Sequence, residues 1–256
     1  MLAGLARLPD VVFTCTNDAS MTVRLFIDFD GTISIGDVGD ALVQTFGAFE
    51  PLHSDLLAGR YTVAEYYRHA AASFVSGATS AAVADFVASR QLDSGLVPLF
   101  RWCGEQSIPI TVVSDGFDVY IKPLLERAGV LDHVELACNH LQHEGGRWTP
   151  SFPGASESCT CFCASCKRNA LLTRAADDDI IVYVGDGRSD ACAVRFADIV
   201  FAKDTLAASC TAEGIPHHPY RSLMEVLIVL QRRVQEQDFP RRRQAQLARK
   251  RAFESE

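Results

Sequence analysis

The sequence predicts an α/β protein: a doubly wound parallel sheet carrying a small inserted helical domain. Three observations predict it. Short, β-branched apolar runs recur along the chain, helical periodicity fills the stretches between them, and three of four runs end in a turn rich in Gly, Asp and Ser. Apolar runs of this kind suit strands covered on both faces by helices.

Residues 1–20 read as an N-terminal extension, because Arg7, Pro9 and Asp10 interrupt any apolar core of an export signal. Met21, directly before the first strand, is an alternative start. The first strand is read at 23–29 (VRLFIDF). Residues 38–46, 63–74 and 80–89 then place apolar side chains at helical spacing, the pattern of a small helical module. Residues 96–106 form the helix leading back into the sheet, and 108–114 (IPITVVS) the second strand. Residues 140–158, rich in Gly, Pro and Ser, read as a loop or hairpin excursion. A helix at 169–175 precedes the third strand at 180–185 (IIVYVG), and 198–202 (DIVFA) is the fourth. The predicted organisation is a core of 21–34 and 107–231, a helical cap of 35–106, and a basic tail of 232–256. That tail holds eight Lys/Arg against four Asp/Glu and reads as a solvated helix or frayed end.

Composition narrows the partners. The 256 residues are 48% hydrophobic and 22% charged, which suits a folded chain long enough to bury a substantial core. A net charge of −8 argues against nucleic acid, whose phosphates are bound mostly by Lys and Arg. The RRR run at 241–243 has no interleaved aromatics. No apolar run approaches the roughly 18 residues of a membrane span. Nine cysteines without an export signal read as thiols or metal ligands in the cytoplasm. Monomer and homodimer both remain open.

The strand ends carry the chemistry, because doubly wound sheets bind ligands outside the carboxyl ends of their strands. The first strand runs into Asp28-Phe29-Asp30-Gly31-Thr32. Side chains alternate along a strand, so Asp28 and Asp30 would point the same way and repel unless a cation lies between them. Gly31 permits the tight turn that follows. The third strand ends in Gly185-Asp186-Gly187-Arg188-Ser189-Asp190, adding two acids. Hard oxygen ligands in this number suit Mg²⁺. The second strand ends in Ser114-Asp115-Gly116, where a hydroxyl and backbone N–H groups would hold phosphate oxygens. Lys167 would add a fixed positive charge. Singly, each motif is an ordinary turn. Their joint placement after apolar strands points to a site.

DFDGT, SDG, a lysine and GDGRSD, in that order, resemble the four motifs of the haloacid dehalogenase superfamily of phosphohydrolases. The resemblance covers residue 25 to about 202 and implies a Rossmannoid core with a helical cap, like the phosphoserine-phosphatase-like branch. The Cys-rich run ending in Cys166-Lys167, FAKD at 201–204 and His-Pro-Tyr at 218–220 resemble bacterial 2-hydroxy-3-keto-5-methylthiopentenyl-1-phosphate phosphatases of methionine salvage. By that resemblance, Asp28 is the nucleophile forming an aspartyl-phosphate, and Asp30 the acid and then the base. Thr32, Ser114, Asp115, Gly116 and Lys167 contact the phosphate, and Asp28, Asp30, Asp186 and Asp190 hold Mg²⁺, Asp30 through its carbonyl. The implied substrate is a small-molecule phosphate ester. Phosphoserine, phosphocholine and phosphoethanolamine are alternatives, as are a phosphotransferase and an inactive phosphate-binding protein. Asp115 departs from the family pattern, which often has Gly there, and Arg188 would meet a substrate anion or solvent.

Cys159, Cys161, Cys163 and Cys166 place four thiols within one short run. Reduced thiols shaping a loop, a structural Zn²⁺ site and a disulfide are the competing readings. Cys138, His140 and His143 would be available to complete a metal site. Cys103, Cys192 and Cys210 read as core, and His217-His218 as loop surface. In the cap, Arg60, Tyr66, Tyr67 and Arg68 are candidates for substrate contact, although Tyr and Arg on amphipathic helices more often serve packing or solvation.

Overall fold

The computed structural model describes residues 22–155 and 161–254, so expectations for residues 1–20, Met21 and Cys159 lie outside the described residues. Seven strands are present among the described residues: β1 (Val23–Ile27), β2 (Ile110–Phe117), β3 (Glu135–Glu144), β4 (Arg147–Ser151), β5 (Ile180–Gly185), β6 (Ile199–Ala202) and β7 (His218–Pro219). They form one sheet in the order β4-β3-β2-β1-β5-β6-β7. β1 is parallel to both neighbours, with Leu25 opposite Ile110 on one side and Val182 on the other. β4 runs antiparallel to β3. Apolar residues on both faces explain why β1 is central. Leu25 and Ile27 enter the principal hydrophobic cluster, while Phe26 enters a second cluster on the opposite face. The strand order reverses at β1, so the carboxyl ends of β1, β2 and β5 flank the switch point where such sheets bind ligands.

Between β1 and β2 lie α1 (Val38–Phe46), α2 (Leu52–Leu57), α3 (Val63–Ala72), α4 (Ser80–Ala88) and α5 (Leu96–Glu105). Their starts are written in the sequence. The Asp37 side chain accepts the Asp40 N–H at the head of α1. Thr62 and Glu65 form a capping box on α3, and Thr79 caps α4. Val38, Leu42, Val83 and Val87 join the same buried cluster as β1 and β2. A smaller cluster gathers Val43, Leu56, Val63, Tyr66 and Ala70 against Ala164. The remaining helices are α6 (Asp118–Arg127), α7 (Lys167–Arg174), α8 (Asp204–Glu213), α9 (Leu223–Glu236) and α10 (Arg243–Glu254). Among the described residues, no helix is long and apolar enough to cross a membrane.

The structure decides one local reading and corrects two. Of the loop and the hairpin expected after residue 140, residues 140–151 take the hairpin: β3 and β4 are closed by Gly145 and Gly146, whose φ values of 56° and 76° only glycine adopts readily. His218 is not loop surface but pairs with Phe201 in the edge strand β7 and meets the Arg233 guanidinium. The basic tail is helical but not merely solvated. Arg242 donates to the carbonyls of Val194, Arg195 and Ala197. Arg249 is 5% exposed and binds Phe196 O at 2.7 Å and Asp198 Oδ2 at 2.9 Å. The guanidinium's five donors in a rigid fork suit burial against several carbonyls at once. Arg249→Ala would leave the buried Asp198 carboxylate short of its counter-charge. It is expected to lower unfolding free energy by about 2–4 kcal/mol, read from urea denaturation. A change below about 0.5 kcal/mol would mean that the tail contributes little to the fold.

Candidate active site

Asp28 follows β1 directly, and Asp186 follows Gly185 at the end of β5. Asp190 sits in the 3₁₀ turn Arg188–Asp190. One oxygen from each of Asp28, Asp186 and Asp190 lies within 4.8 Å of the others. Asp28 is 4% exposed and Asp190 fully buried. The Lys167 ammonium, at the first residue of α7, lies 2.6 Å from Asp28 Oδ1 and 2.6 Å from Asp190 Oδ1. Burial and then the Asp190 charge hold Asp28 well above the ordinary carboxylate range, against the pull of Lys167. Burial and Asp190 also raise Asp186. Burial alone would favour a neutral Lys167, but the two carboxylates outweigh it and keep the ammonium charged. Three carboxylates against one ammonium leave a surplus of hard oxygen charge. That donor set fits a small hard cation. Gly31, at φ 74°, passes under this group: a Cβ there would come within 2.2 Å of Asp186 Oδ2.

Asp30 reaches the same cavity but turns its carboxylate elsewhere. Oδ1 accepts the Val38 N–H at 2.9 Å at the start of α1, and Oδ2 accepts the Tyr120 hydroxyl at 2.7 Å. Burial, then the Asp37 charge, pushes its pKa up to about 7, with those hydrogen bonds opposing. Its side chain is therefore not among the clustered acids, contrary to the simple alternation argument. β1 has already ended at Ile27, so residues 28–30 no longer follow strand periodicity.

At the end of β2, Ser114 Oγ accepts the Gly116 N–H at 2.9 Å. A Cβ at Gly116 would collide with the Tyr120 hydroxyl at 1.8 Å and approach Asp30 Oδ2 at 2.5 Å, so this turn requires glycine. Asp115, expected beside the phosphate, lines the same cavity and pins a loop with its side chain. Its Oδ1 accepts the N–H groups of Ala164 and Ser165, each at 2.7 Å. Asn139 joins the brace, donating to Asp115 O at 2.6 Å and accepting from the Ser165 hydroxyl at 2.7 Å. Thr32 donates its hydroxyl to Asp186 Oδ1 at 3.2 Å and its N–H to Phe29 O, and so braces one of the acids. Asp190 spends both oxygens internally. Oδ1 accepts from Lys167 and Tyr183, and Oδ2 from the Asp186 and Gly187 N–H groups.

The cysteine run shapes this site from one side. Cys166 Sγ accepts the Asn169 N–H and caps α7, fixing the helix start that carries Lys167. Among the described residues the one group of three metal-capable side chains is the acidic one, so a Zn²⁺ site at the cysteines has no support. Cys138 is buried in the principal cluster, where burial pushes its thiol up to about 12. His140 faces Asp118 at 3.0 Å, and His143 pairs with Ser80 and stacks on Trp148. Cys103 and Cys210 are core, as expected, and Cys192 packs partly buried against the second cluster.

Above the acids lies a cavity of about 400 Å³. Asp28, Asp30, Lys167 and Asp186 form its floor, while Asp40, His53, Tyr66 and Tyr67 line it from α1, α2 and α3. Arg188 also lines it, with its guanidinium 4.6 Å over the Phe162 ring. Arg60 pairs with Asp55, and Arg68 lies over Phe152. Sequence reasoning missed Tyr120, Tyr183, Asn139 and His53. It also missed the role of Tyr220, whose hydroxyl reaches Gly185 O at 3.2 Å. A tyrosine inside an otherwise aliphatic strand was the one available hint, at Tyr183.

A sequence profile of the haloacid dehalogenase-like hydrolases matches residues 25–195. The chain is 32% identical over 212 residues to a 2-hydroxy-3-keto-5-methylthiopentenyl-1-phosphate phosphatase of Geobacillus kaustophilus (strain HTA426), spanning 81% of this chain and 95% of that protein. It is 27% identical to the phosphatase of the same name from Brevibacillus brevis (strain 47 / JCM 6285 / NBRC 100599), over 85% of this chain and 99% of that one. Among solved structures, a phospho-aspartyl intermediate analogue of phosphoserine phosphatase superposes with a TM-score of 0.59 at 18% identity, covering 82% of this chain and 99% of the other. A probable phosphoserine phosphatase from Vibrio cholerae gives a TM-score of 0.63 at 18% identity, covering 87% and 69%. At such identities the structural likeness speaks for the fold.

Proposed function

The chain belongs to the haloacid dehalogenase-like hydrolases and is a phosphoric monoester hydrolase; from that premise we propose that it cleaves a small phosphorylated metabolite through an aspartyl-phosphate on Asp28. The observation that carries this reading is the buried Asp28 carboxylate held by Lys167 on the floor of the cavity. Asp28 attacks phosphorus through the oxygen not engaged by Lys167, and the bond from phosphorus to the ester oxygen breaks. Asp30, poised near neutrality, gives its proton to the departing alkoxide. Its carboxylate then takes a proton from water as the water oxygen attacks phosphorus, releasing Asp28 and inorganic phosphate. Ser114 Oγ, the Gly116 backbone and Lys167 lie where charge builds on the transferring group. Tyr120 and the α1 N-terminus hold Asp30 in place. Asp28, Asp186, the Asp30 carbonyl and, through water, Asp190 would hold Mg²⁺, which when bound supplies positive charge against two approaching anions. Helices α1–α4 act as a cap that shields the site from water and selects the leaving group.

Relatives at 31% and 32% identity carry the methylthiopentenyl-phosphate name, which supports that ester as the substrate. The test is a kcat/KM comparison of this ester with O-phosphoserine, phosphocholine and phosphoethanolamine, in Mg²⁺ and in excess EDTA. The expected result is at least a tenfold preference for the methylthiopentenyl ester, on the order of one lost hydrogen bond or apolar contact. Activity should vanish in EDTA and return with Mg²⁺. Full activity in EDTA contradicts the metal assignment, and equal turnover of phosphoserine contradicts the substrate.

A further inference from the structure

One side chain lining the cavity has no role in the chemistry just described. The Tyr66 hydroxyl is buried without a hydrogen-bond partner. Tyr66 is 2% exposed and lines the cavity that holds Asp28. Buried hydroxyls are almost always paired, so an orphaned one marks a place where a ligand atom completes the set. Its surroundings limit what that atom can be. Leu56 and Val63 make this wall apolar, while Asp37 and Asp40 make it acidic. His53 stacks on Phe49 at 4.5 Å and faces Asp40 at 4.0 Å and Glu50 at 3.9 Å. Arg188, which lines the cavity together with Lys167 and His53, is held over Phe162.

We propose that the Tyr66 hydroxyl is a specificity contact, donating to an uncharged carbonyl or hydroxyl oxygen on the aliphatic leaving group of the phosphate ester. This rests on the phosphatase reading above. A phenol proton needs an acceptor. The hydroxyl can accept as well as donate, but its proton stays unpaired beside a primary ammonium, which has donors only, or a quaternary ammonium, which has neither donor nor acceptor, and a carboxylate would face Asp37 and Asp40. A carbonyl or hydroxyl oxygen meets both conditions, and Leu56 and Val63 accept the carbon chain beside it.

Tyr66→Phe removes the hydroxyl and nothing else. The probes share phosphate chemistry and differ in the leaving group: fructose 1-phosphate, hexyl phosphate, 6-phosphogluconate and phosphocholine. The wild-type enzyme is expected to prefer fructose 1-phosphate to the carboxylate and the quaternary amine. In Tyr66→Phe the ratio of kcat/KM for fructose 1-phosphate over hexyl phosphate should fall about tenfold, the loss of one hydrogen bond, chiefly through KM. Because the hydroxyl is unpaired without substrate, Tm in the absence of ligand should be unchanged or higher. A ratio within twofold of wild type overturns the proposal. So does a wild-type preference for 6-phosphogluconate or phosphocholine, or a Tm lowered by several degrees, which would reveal a protein partner for the hydroxyl. Failure of the wild type to hydrolyse any of the four probes defeats the phosphatase reading itself, and this contact with it.

Discussion

Asp28→Asn is expected to lower kcat toward every phosphate monoester by at least about four orders of magnitude while the protein stays folded. The amide keeps the size and planarity of the carboxylate but has no anionic oxygen to form the acyl phosphate. Its effect on stability should run the other way. Burial and the Asp190 charge already hold Asp28 above its ordinary range, so the ionised side chain is disfavoured in the folded chain. A neutral isostere relieves repulsion with Asp186 and Asp190, although Lys167 loses one of its two partners. Thermal unfolding without divalent cation should therefore show a Tm equal to or above wild type. Steady-state kinetics on p-nitrophenyl phosphate and circular dichroism decide the matter. Residual activity above about 1% of wild type would remove Asp28 as the nucleophile.

What the sequence made legible and what it hid differ by the distance over which the signal acts. Asp28, Gly31 and Asp186 were readable because acids and glycines at the ends of apolar runs are local patterns whose meaning the parallel sheet fixes. The braces around them were not. Tyr120 reaches Asp30, Asn139 reaches Asp115, and Tyr220 reaches Gly185 across long stretches of chain. Strand order creates these pairs, and no periodicity encodes them. The partners of the Asp115 side chain were hidden for the same reason: the 161–166 segment, far along the chain, supplies the N–H groups that its carboxylate accepts. β3 was hidden because Asn139, His140 and Gln142 give it a polar look, and α6 because Pro123 interrupts its pattern. The arginines at 242 and 249 looked like solvent charge, because composition cannot show that carbonyls of the 194–197 segment await them.

Lys167→Met carries the second large effect. The side chain is 3% exposed and its ammonium is shared between Asp28 and Asp190 at 2.6 Å each. Methionine fills a similar volume without charge, so three clustered carboxylates would face one another with no internal cation. Breaking a buried ionic group by removing one partner costs about 3–5 kcal/mol of stability. Removing a fixed positive charge from the transferring phosphoryl group should lower kcat by about three orders of magnitude. The pH sign follows from the acids. Asp28 and Asp186 already lie above their unfolded values, so the folded chain holds more protons than the unfolded one. Without Lys167 that excess grows, and stability of the metal-free variant should fall as pH rises above the unfolded carboxylate range. Mg²⁺ would restore part of the lost stability by neutralising the same oxygens, but not the rate, because a cation among the acids does not replace the donor at Nζ. Thermal unfolding across pH with and without Mg²⁺, alongside kcat, separates the two contributions. A variant with kcat within tenfold of wild type would show that Lys167 serves the fold and not the phosphoryl group.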